Sequence, residues 1–173
     1  EDAKTTNNFG GFYGFSKYMG EQVFSHYIHK GLKTIIIRPS SIYGHGLSES
    51  QLLMTFLRDA MSDKNLNVQH PKDNKVNFVH ASDVATSILL SLQSEAWGIY
   101  NIAAKECRTI EKLADICIEM VGSGMKNVSD SQSSIEPFIR FDLNCEKAEK
   151  RFSYTSEVTL EEGIKMMFEK RYF

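Results

Sequence analysis

Tyr13 and Lys17 stand four residues apart in Tyr13-Gly14-Phe15-Ser16-Lys17. On a helix, residues at that spacing project from one face, about one turn apart. An ammonium then sits beside a phenol. A free phenol ionises near pH 10 and is a poor base at neutrality. An adjacent cation favours the phenolate, and bringing a phenol's ionisation close to neutral takes about 4 kcal/mol of differential stabilisation. A phenol tuned in this way can take a proton from a sugar or alcohol hydroxyl, or return one. With 7 tyrosines in the chain, a Tyr-x-x-x-Lys pair also arises by chance, so its meaning depends on the segments that position it.

Those segments alternate between helix and strand. The pattern from Tyr13 to Lys30 is helical, with Gly20, Val23, Phe24, Tyr27 and Ile28 expected as a buried stripe and Gly31 as the stop. Lys33 to Pro39 carries three successive isoleucines and reads as a strand buried on both faces, as in a parallel sheet. Residues 40–46 then form the loop at the strand's C-terminal end, where ligands bind in open α/β sheets. Ser48 to Asp63 is a second helix, and Asn65 to Lys75 is polar and turn-rich. Val76 to His80 is a strand. Ser82 or Asp83 caps a helix over Val84 to Leu92. Ile99 to Ala103 is a further strand. Thr109 caps a helix that Gly122 stops. Ser123 to Ile135 reads as a loop, and helices over Asn144 to Phe152 and Thr159 to Arg171 close the chain.

Composition narrows the function. The chain has 173 residues, 42% hydrophobic and 24% charged, with net charge −2, which is ordinary for a soluble globular domain. No basic surface points to nucleic acid, and no apolar run reaches the ~20 residues that span a bilayer. Cys107, Cys117 and Cys145 have neither disulfide nor metal-site spacing and read as reduced thiols of a cytoplasmic protein; no metal site is expected.

In this order the segments resemble the C-terminal part of the extended short-chain dehydrogenase/reductase family, the NAD-dependent epimerase/dehydratases that act on nucleotide sugars. Tyr13-Gly14-Phe15-Ser16-Lys17 is similar to the family's active-site helix. Arg38-Pro39-Ser40-Ser41-Ile42-Tyr43-Gly44-His45-Gly46 is similar to the strand and loop after it, and Phe78-Val79-His80-Ala81-Ser82-Asp83-Val84-Ala85 to the motif entering the next helix. Tyr100-Asn101-Ile102-Ala103 is similar to the last core strand, and Thr159-Leu160-Glu161-Glu162-Gly163 to a closing helix.

The resemblance implies an α/β fold: the C-terminal part of a Rossmann-like parallel-sheet core plus a smaller α/β substrate-binding lobe. Residues 1–46 and 78–104 would belong to the core, 47–77 and 105–173 to the lobe. It implies hydride transfer between a sugar carbon and NAD or NADP, with Tyr13 as proton donor and acceptor and Lys17 on the nicotinamide ribose. Pro39, Ser40 and Ser41 would approach the nicotinamide, while Ser41, Tyr43, Lys75 and Arg140 would face a nucleotide-sugar substrate. From the residues alone, Tyr43 reads equally as pocket lining or as packing, Arg38 as an internal ion-pair partner, His80 as structural, and Glu21 as a partner for Lys17. A homodimer through the Tyr13–Lys30 helix is also implied.

Two departures qualify the resemblance. The glycine-rich nucleotide-binding half of the family has no counterpart in this sequence, so the chain reads as a fragment that is inactive alone. Many family members also carry an arginine two residues before the aromatic at Phe78, where this chain has Val76. That substitution motivates a rival reading, a non-catalytic sugar-nucleotide-binding or assembly module that kept the fold. Epimerisation, dehydration and reduction stay open, as does the identity of the sugar.

Overall fold

The structure, a computed structural model, describes residues 11–68, 74–129 and 143–169. Helix α1 (Phe12–Ile28) leads through a turn into strand β1 (Ile35–Pro39). β1 runs parallel to β6 (Gly98–Ile102), with Ile35 opposite Gly98 and Pro39 opposite Ile102. At Ser40 the chain changes partner. The Ser40 amide donates to the Ile102 carbonyl at 2.8 Å, and the Ser41 amide to the Asn77 carbonyl at 3.1 Å. Strand β2 (Ser41–Tyr43) then runs parallel to β5 (Phe78–His80). The sequence pattern predicts a loop here. Three residues are too few to show a strand period, and they become a strand because β5 offers them an edge.

One hydrophobic cluster gathers α2 (Leu52–Met61), β3 (Asn65–Val68), α4 (Ile110–Val121) and α6 (Leu160–Glu169) around Tyr43, with Leu53, Leu57, Leu66, Leu113 and Ile164 fully buried. β3 alternates as a half-buried strand should, with Leu66 and Val68 inside and Asn65 and Asn67 outside. Its parallel partner is β8 (Met125–Val128), inside the stretch expected as loop. A second cluster joins α3 (Ala81–Gln93), β6 and α5 (Glu146–Phe152) through Val79, Val84, Tyr100, Ile102, Ala148 and Phe152. Residues 105–173, grouped together from sequence, therefore divide between the two packings. A short antiparallel ladder of β4 (Lys75–Val76) and β7 (Arg108–Thr109) packs Val76 against the first cluster.

Local signals mostly set the helix ends. The Thr109 hydroxyl accepts from the Lys112 amide at 3.1 Å, and Gly122 closes α4 with φ 78°, a left-handed conformation that glycine adopts without a Cβ clash. The cap of α3 differs from expectation: the His80 ring accepts from the Ser82 amide at 3.3 Å. Asp83 is thereby released for a long-range role, and its buried carboxylate accepts from the Glu157 and Val158 amides, both at 3.2 Å.

Two expectations of burial are corrected. No residue of α1 is buried. Its half-buried residues are Gly14, Tyr18, Gly20, Glu21, Ser25 and Ile28, so of the expected stripe only Gly20 and Ile28 are half-buried, whereas Val23, Phe24 and Tyr27 are about half exposed. Most of its large apolar residues are exposed. Likewise Ile35, Ile36 and Ile37 of β1 are only half-buried, because among the described residues β1 pairs with β6 alone.

Tyr43 is the keystone of the first cluster and is 1% exposed. Its hydroxyl donates to the Thr159 carbonyl at 3.0 Å, and its ring meets Phe78 and His80 edge-on. Burial, reinforced by the Asp83 carboxylate, holds this phenol well above its usual ionisation range. The sequence-based placement of Tyr43 on the sugar side is corrected accordingly: the side chain is core. Gly163 makes room for it, since a Cβ there would lie 2.0 Å from the Tyr43 hydroxyl oxygen. Gly163→Ala should therefore destabilise the protein by about 1–3 kcal/mol through overpacking. Gly20→Ala, with nothing within 4 Å of the added methyl, should stabilise it by up to about 1 kcal/mol. Urea unfolding midpoints of the two variants check this; equal shifts would contradict the placement of Tyr43.

Candidate active site

Tyr13 and Lys17 lie in the first turns of α1. Lys17 Nζ stands 5.2 Å from the centroid of the Tyr13 ring, within cation–π range. The Ser16 hydroxyl donates to the Tyr13 carbonyl at 2.7 Å. Tyr13 is 76% exposed, so the phenol is open to a ligand.

A helix without buried residues needs another means of attachment. Arg38 of β1 supplies it by gripping Glu21 in a fork: Arg38 Nε donates to Glu21 Oε1 at 2.9 Å and Nη2 to Oε2 at 2.5 Å. The side chains are one third and one fifth exposed. Two nitrogens of the planar guanidinium meet both oxygens of one carboxylate, which fixes orientation as well as distance. Glu21 is thus the partner of Arg38, where the sequence suggested Lys17.

This fork also sets the level of the site. α1 runs antiparallel to β1, so the N-terminus of the helix lies toward the C-terminal end of the strand. From Glu21 back to Tyr13 is eight residues, about 12 Å of helix. From Arg38 forward to Ser41 is three residues, about 10 Å of strand. On this reckoning Tyr13 reaches about the level of Ser41 along the strand, where the chain leaves β6 for β5. Divergence of neighbouring strands at their C-terminal ends opens the crevice in which α/β folds bind ligands.

Asn77, beneath the Ser40 elbow, is 3% exposed. Its side-chain oxygen accepts from the Ser40 hydroxyl at 2.7 Å and from the Ala104 amide at 2.9 Å. Its side-chain nitrogen donates to the carbonyls of Ala104 at 2.9 Å and Glu106 at 3.2 Å. One amide thus joins the Ser40 elbow to the segment after β6. Sequence reading passed over Asn77; the available signal was a polar residue inside the apolar run Val76-Asn77-Phe78-Val79.

Beyond Asn77 lies a cavity of about 160 Å³, walled by Val76, Phe78, Val158 and Leu160 and rimmed by Lys105, Glu106 and Arg108. Its wall at 156–159 is pinned from three sides. Ser156 Oγ accepts from the Lys105 amide at 3.0 Å, Asp83 holds 157 and 158, and Tyr43 holds Thr159. Lys75, expected on the nucleotide-sugar side, sits on β4 opposite Thr109. It does not line the cavity, because successive strand residues face opposite ways and Val76 takes the inward position. Of the two cations at the rim, Lys105 and Arg108, it is Arg108 that stands directly opposite Val76. Arg140 lies outside the described residues. Among the described residues no cluster of His, Cys, Asp or Glu is arranged to hold a metal ion, and no helix is long and apolar enough to cross a membrane.

Comparison with known proteins places this geometry in context. The model of the NAD dependent epimerase/dehydratase family matches residues 2–103. A trifunctional UDP-glucose 4,6-dehydratase/UDP-4-keto-6-deoxy-D-glucose 3,5-epimerase/UDP-4-keto-L-rhamnose-reductase of Arabidopsis thaliana is 28% identical over 144 residues, covering 78% of this chain and 20% of the plant protein. The dTDP-glucose 4,6-dehydratase of Bacillus anthracis, solved with NAD, superposes with a TM-score of 0.77 at 20% identity, over 98% of this chain and 54% of that one. The UDP-glucuronic acid 4-epimerase of Bacillus cereus, solved with UDP-glucuronic acid and NAD, gives 0.75 at 20% identity over 98% and 56%. The chain spans less than a third of the curated relatives it matches and about half of these solved structures.

If the Arg38–Glu21 fork fastens α1, Glu21→Gln should raise amide hydrogen exchange across residues 12–28 by about tenfold, the effect of losing one charged, part-buried hydrogen bond, and leave α4 unchanged. Arg38→Lys should not restore protection, since an ammonium cannot make the fork. Unchanged exchange in α1 would show that the helix is held by something else.

Proposed function

The chain belongs to the NAD-dependent epimerase/dehydratase family, and from that premise we propose that it provides the proton-transfer helix and sugar-side pocket of an NAD(P)-dependent enzyme that epimerises, dehydrates or reduces a nucleotide sugar. What supports this reading is the Arg38–Glu21 fork, from which the rise of helix and of strand brings Tyr13 to about the level of the Ser40 elbow. An exposed phenol with an ammonium over its ring at that level suits proton transfer next to a bound cofactor.

The residues present fit the nicotinamide end of a dinucleotide. The Ser40 hydroxyl is turned inward onto Asn77, while Pro39 and Ser41 are exposed. That leaves backbone and hydroxyl groups free to meet a carboxamide, with Lys17 available to a ribose. The cofactor, when bound, supplies the hydride acceptor and donor. Tyr13 takes the proton from the sugar hydroxyl as the carbon is oxidised and returns one on reduction, and Lys17 keeps a positive charge beside that ring. Ser41 is assigned to the nucleotide-sugar side. The pyrophosphate and adenosine side of the cofactor is assigned to a nucleotide-binding half outside these residues. The half-buried isoleucines of β1 support that assignment, because parallel strands are normally covered on both faces. The chain by itself is therefore proposed to be inactive. The apolar outer face of α1, with Phe15, Met19, Val23 and Phe24 about half exposed, fits a homodimer contact with a second copy.

In the polypeptide that joins this chain to its nucleotide-binding half, Tyr13→Phe should lower turnover by about 10²–10⁴, the usual contribution of a positioned acid/base. NAD affinity, measured by calorimetry, should stay within a few fold. Full turnover in that variant would remove Tyr13 from the reaction and favour a binding module.

A further inference from the structure

Arg108 and Glu106 form an ion pair at the rim of the 160 Å³ cavity. Arg108 belongs to β7, whereas Glu106 precedes it in the segment fixed by Asn77. The arginine side chain is 30% exposed and the glutamate 65%. The guanidinium is thus the better held member, and the carboxylate is the one free to swing into solvent. In the antiparallel β4–β7 ladder Arg108 is directly opposite Val76. Opposed residues send their side chains to the same face, about 5 Å apart, so the guanidinium emerges over the apolar wall that Val76 begins. A planar fork beside an apolar wall suits a ligand with a flat apolar portion joined to a phosphate.

We propose that Arg108 is the phosphate-binding residue of this pocket, and that Glu106 is a stand-in that occupies its guanidinium until a ligand diphosphate displaces it. This rests on the nucleotide-sugar reading above and adds to it the residue that recognises the diphosphate and a residue that opposes binding. Two carboxylate oxygens and two phosphate oxygens present the same acceptors to the fork, so they compete for one position. Displacement costs little, because an exposed ion pair contributes about 1 kcal/mol or less. A neighbouring acid therefore weakens diphosphate binding modestly and discourages singly charged anions, which cannot outbid the tethered carboxylate. The wall at 156–159 is pinned by Asp83, Tyr43 and Ser156, so the pocket can keep its shape while only Glu106 moves.

The test is calorimetric titration of the 173-residue chain with UDP, and with inorganic pyrophosphate as a probe lacking base and sugar. Arg108→Ala should weaken UDP binding tenfold or more, the size expected for losing a charge-assisted contact, and Arg108→Lys should recover only part of it. Glu106→Gln, which keeps the size of the side chain and removes its charge, should tighten both ligands several fold. Pairing Arg108→Ala with Val76→Arg returns a guanidinium to the same face from the opposite strand and should restore binding. Far-UV circular dichroism on each variant separates loss of ligand from loss of fold. UDP binding that ignores Arg108→Ala in a folded variant would overturn this proposal and leave the nucleotide-sugar reading standing. Weaker binding in Glu106→Gln would overturn the stand-in role. Absence of UDP and pyrophosphate binding in the folded chain would overturn both the proposal and the substrate class it rests on.

Discussion

The grip of Arg38 on Glu21 is the constraint from which the rest of the site follows. α1 buries no residue, so hydrophobic packing contributes little to its position within the chain. The fork provides the missing attachment at one point and in one orientation. From that point the fixed rise of a helix and of a strand carry Tyr13 and Ser41 to the same level. A longer or shorter path on either side would separate the proton-transfer pair from the elbow where β1 gives way to β2. The interaction is ionic and only partly shielded, which suits a helix whose remaining apolar surface is turned outward.

Asn77 does for the two strand pairs what the fork does for the helix. Where a chain leaves one strand partner for another, ladder hydrogen bonds are interrupted and buried backbone groups need other partners. The Asn77 amide, with both acceptor and donor capacity, satisfies the Ser40 hydroxyl and three backbone groups of Ala104 and Glu106 at once. Through it the Ser40 elbow and the rim of the cavity at Glu106 are tied to one side chain. Both proposed ligand-facing regions therefore keep a fixed spacing without a continuous sheet between them.

Much of this was legible in the sequence, for physical reasons that can be named. The Tyr13–Lys17 spacing, the isoleucine run of β1, the Thr109 cap and the Gly122 stop each act within a few residues, and local rules recover them. The reading of Arg38 as an ion-pair partner also survives. What escaped involves partners far apart in sequence. β2 exists because β5 pairs with it, and β8 because β3 does, 60 positions away. Tyr43 reads as pocket or core until Gly163 and Thr159 are seen beside it. Arg108 gains its place only from the ladder opposite Val76. The expected stripe on α1 failed because an amphipathic pattern says that an apolar face is covered, not what covers it.

The central claim is that these residues form the sugar-side, proton-transferring part of a cofactor enzyme whose dinucleotide is held mainly by another half. The most direct measurement is a pair of NAD titrations by calorimetry, one on this chain and one on the polypeptide that includes the nucleotide-binding half. The account predicts binding in the second and none of comparable strength in the first. Absence of NAD binding in both would contradict it and leave a fold of this family that has given up its chemistry.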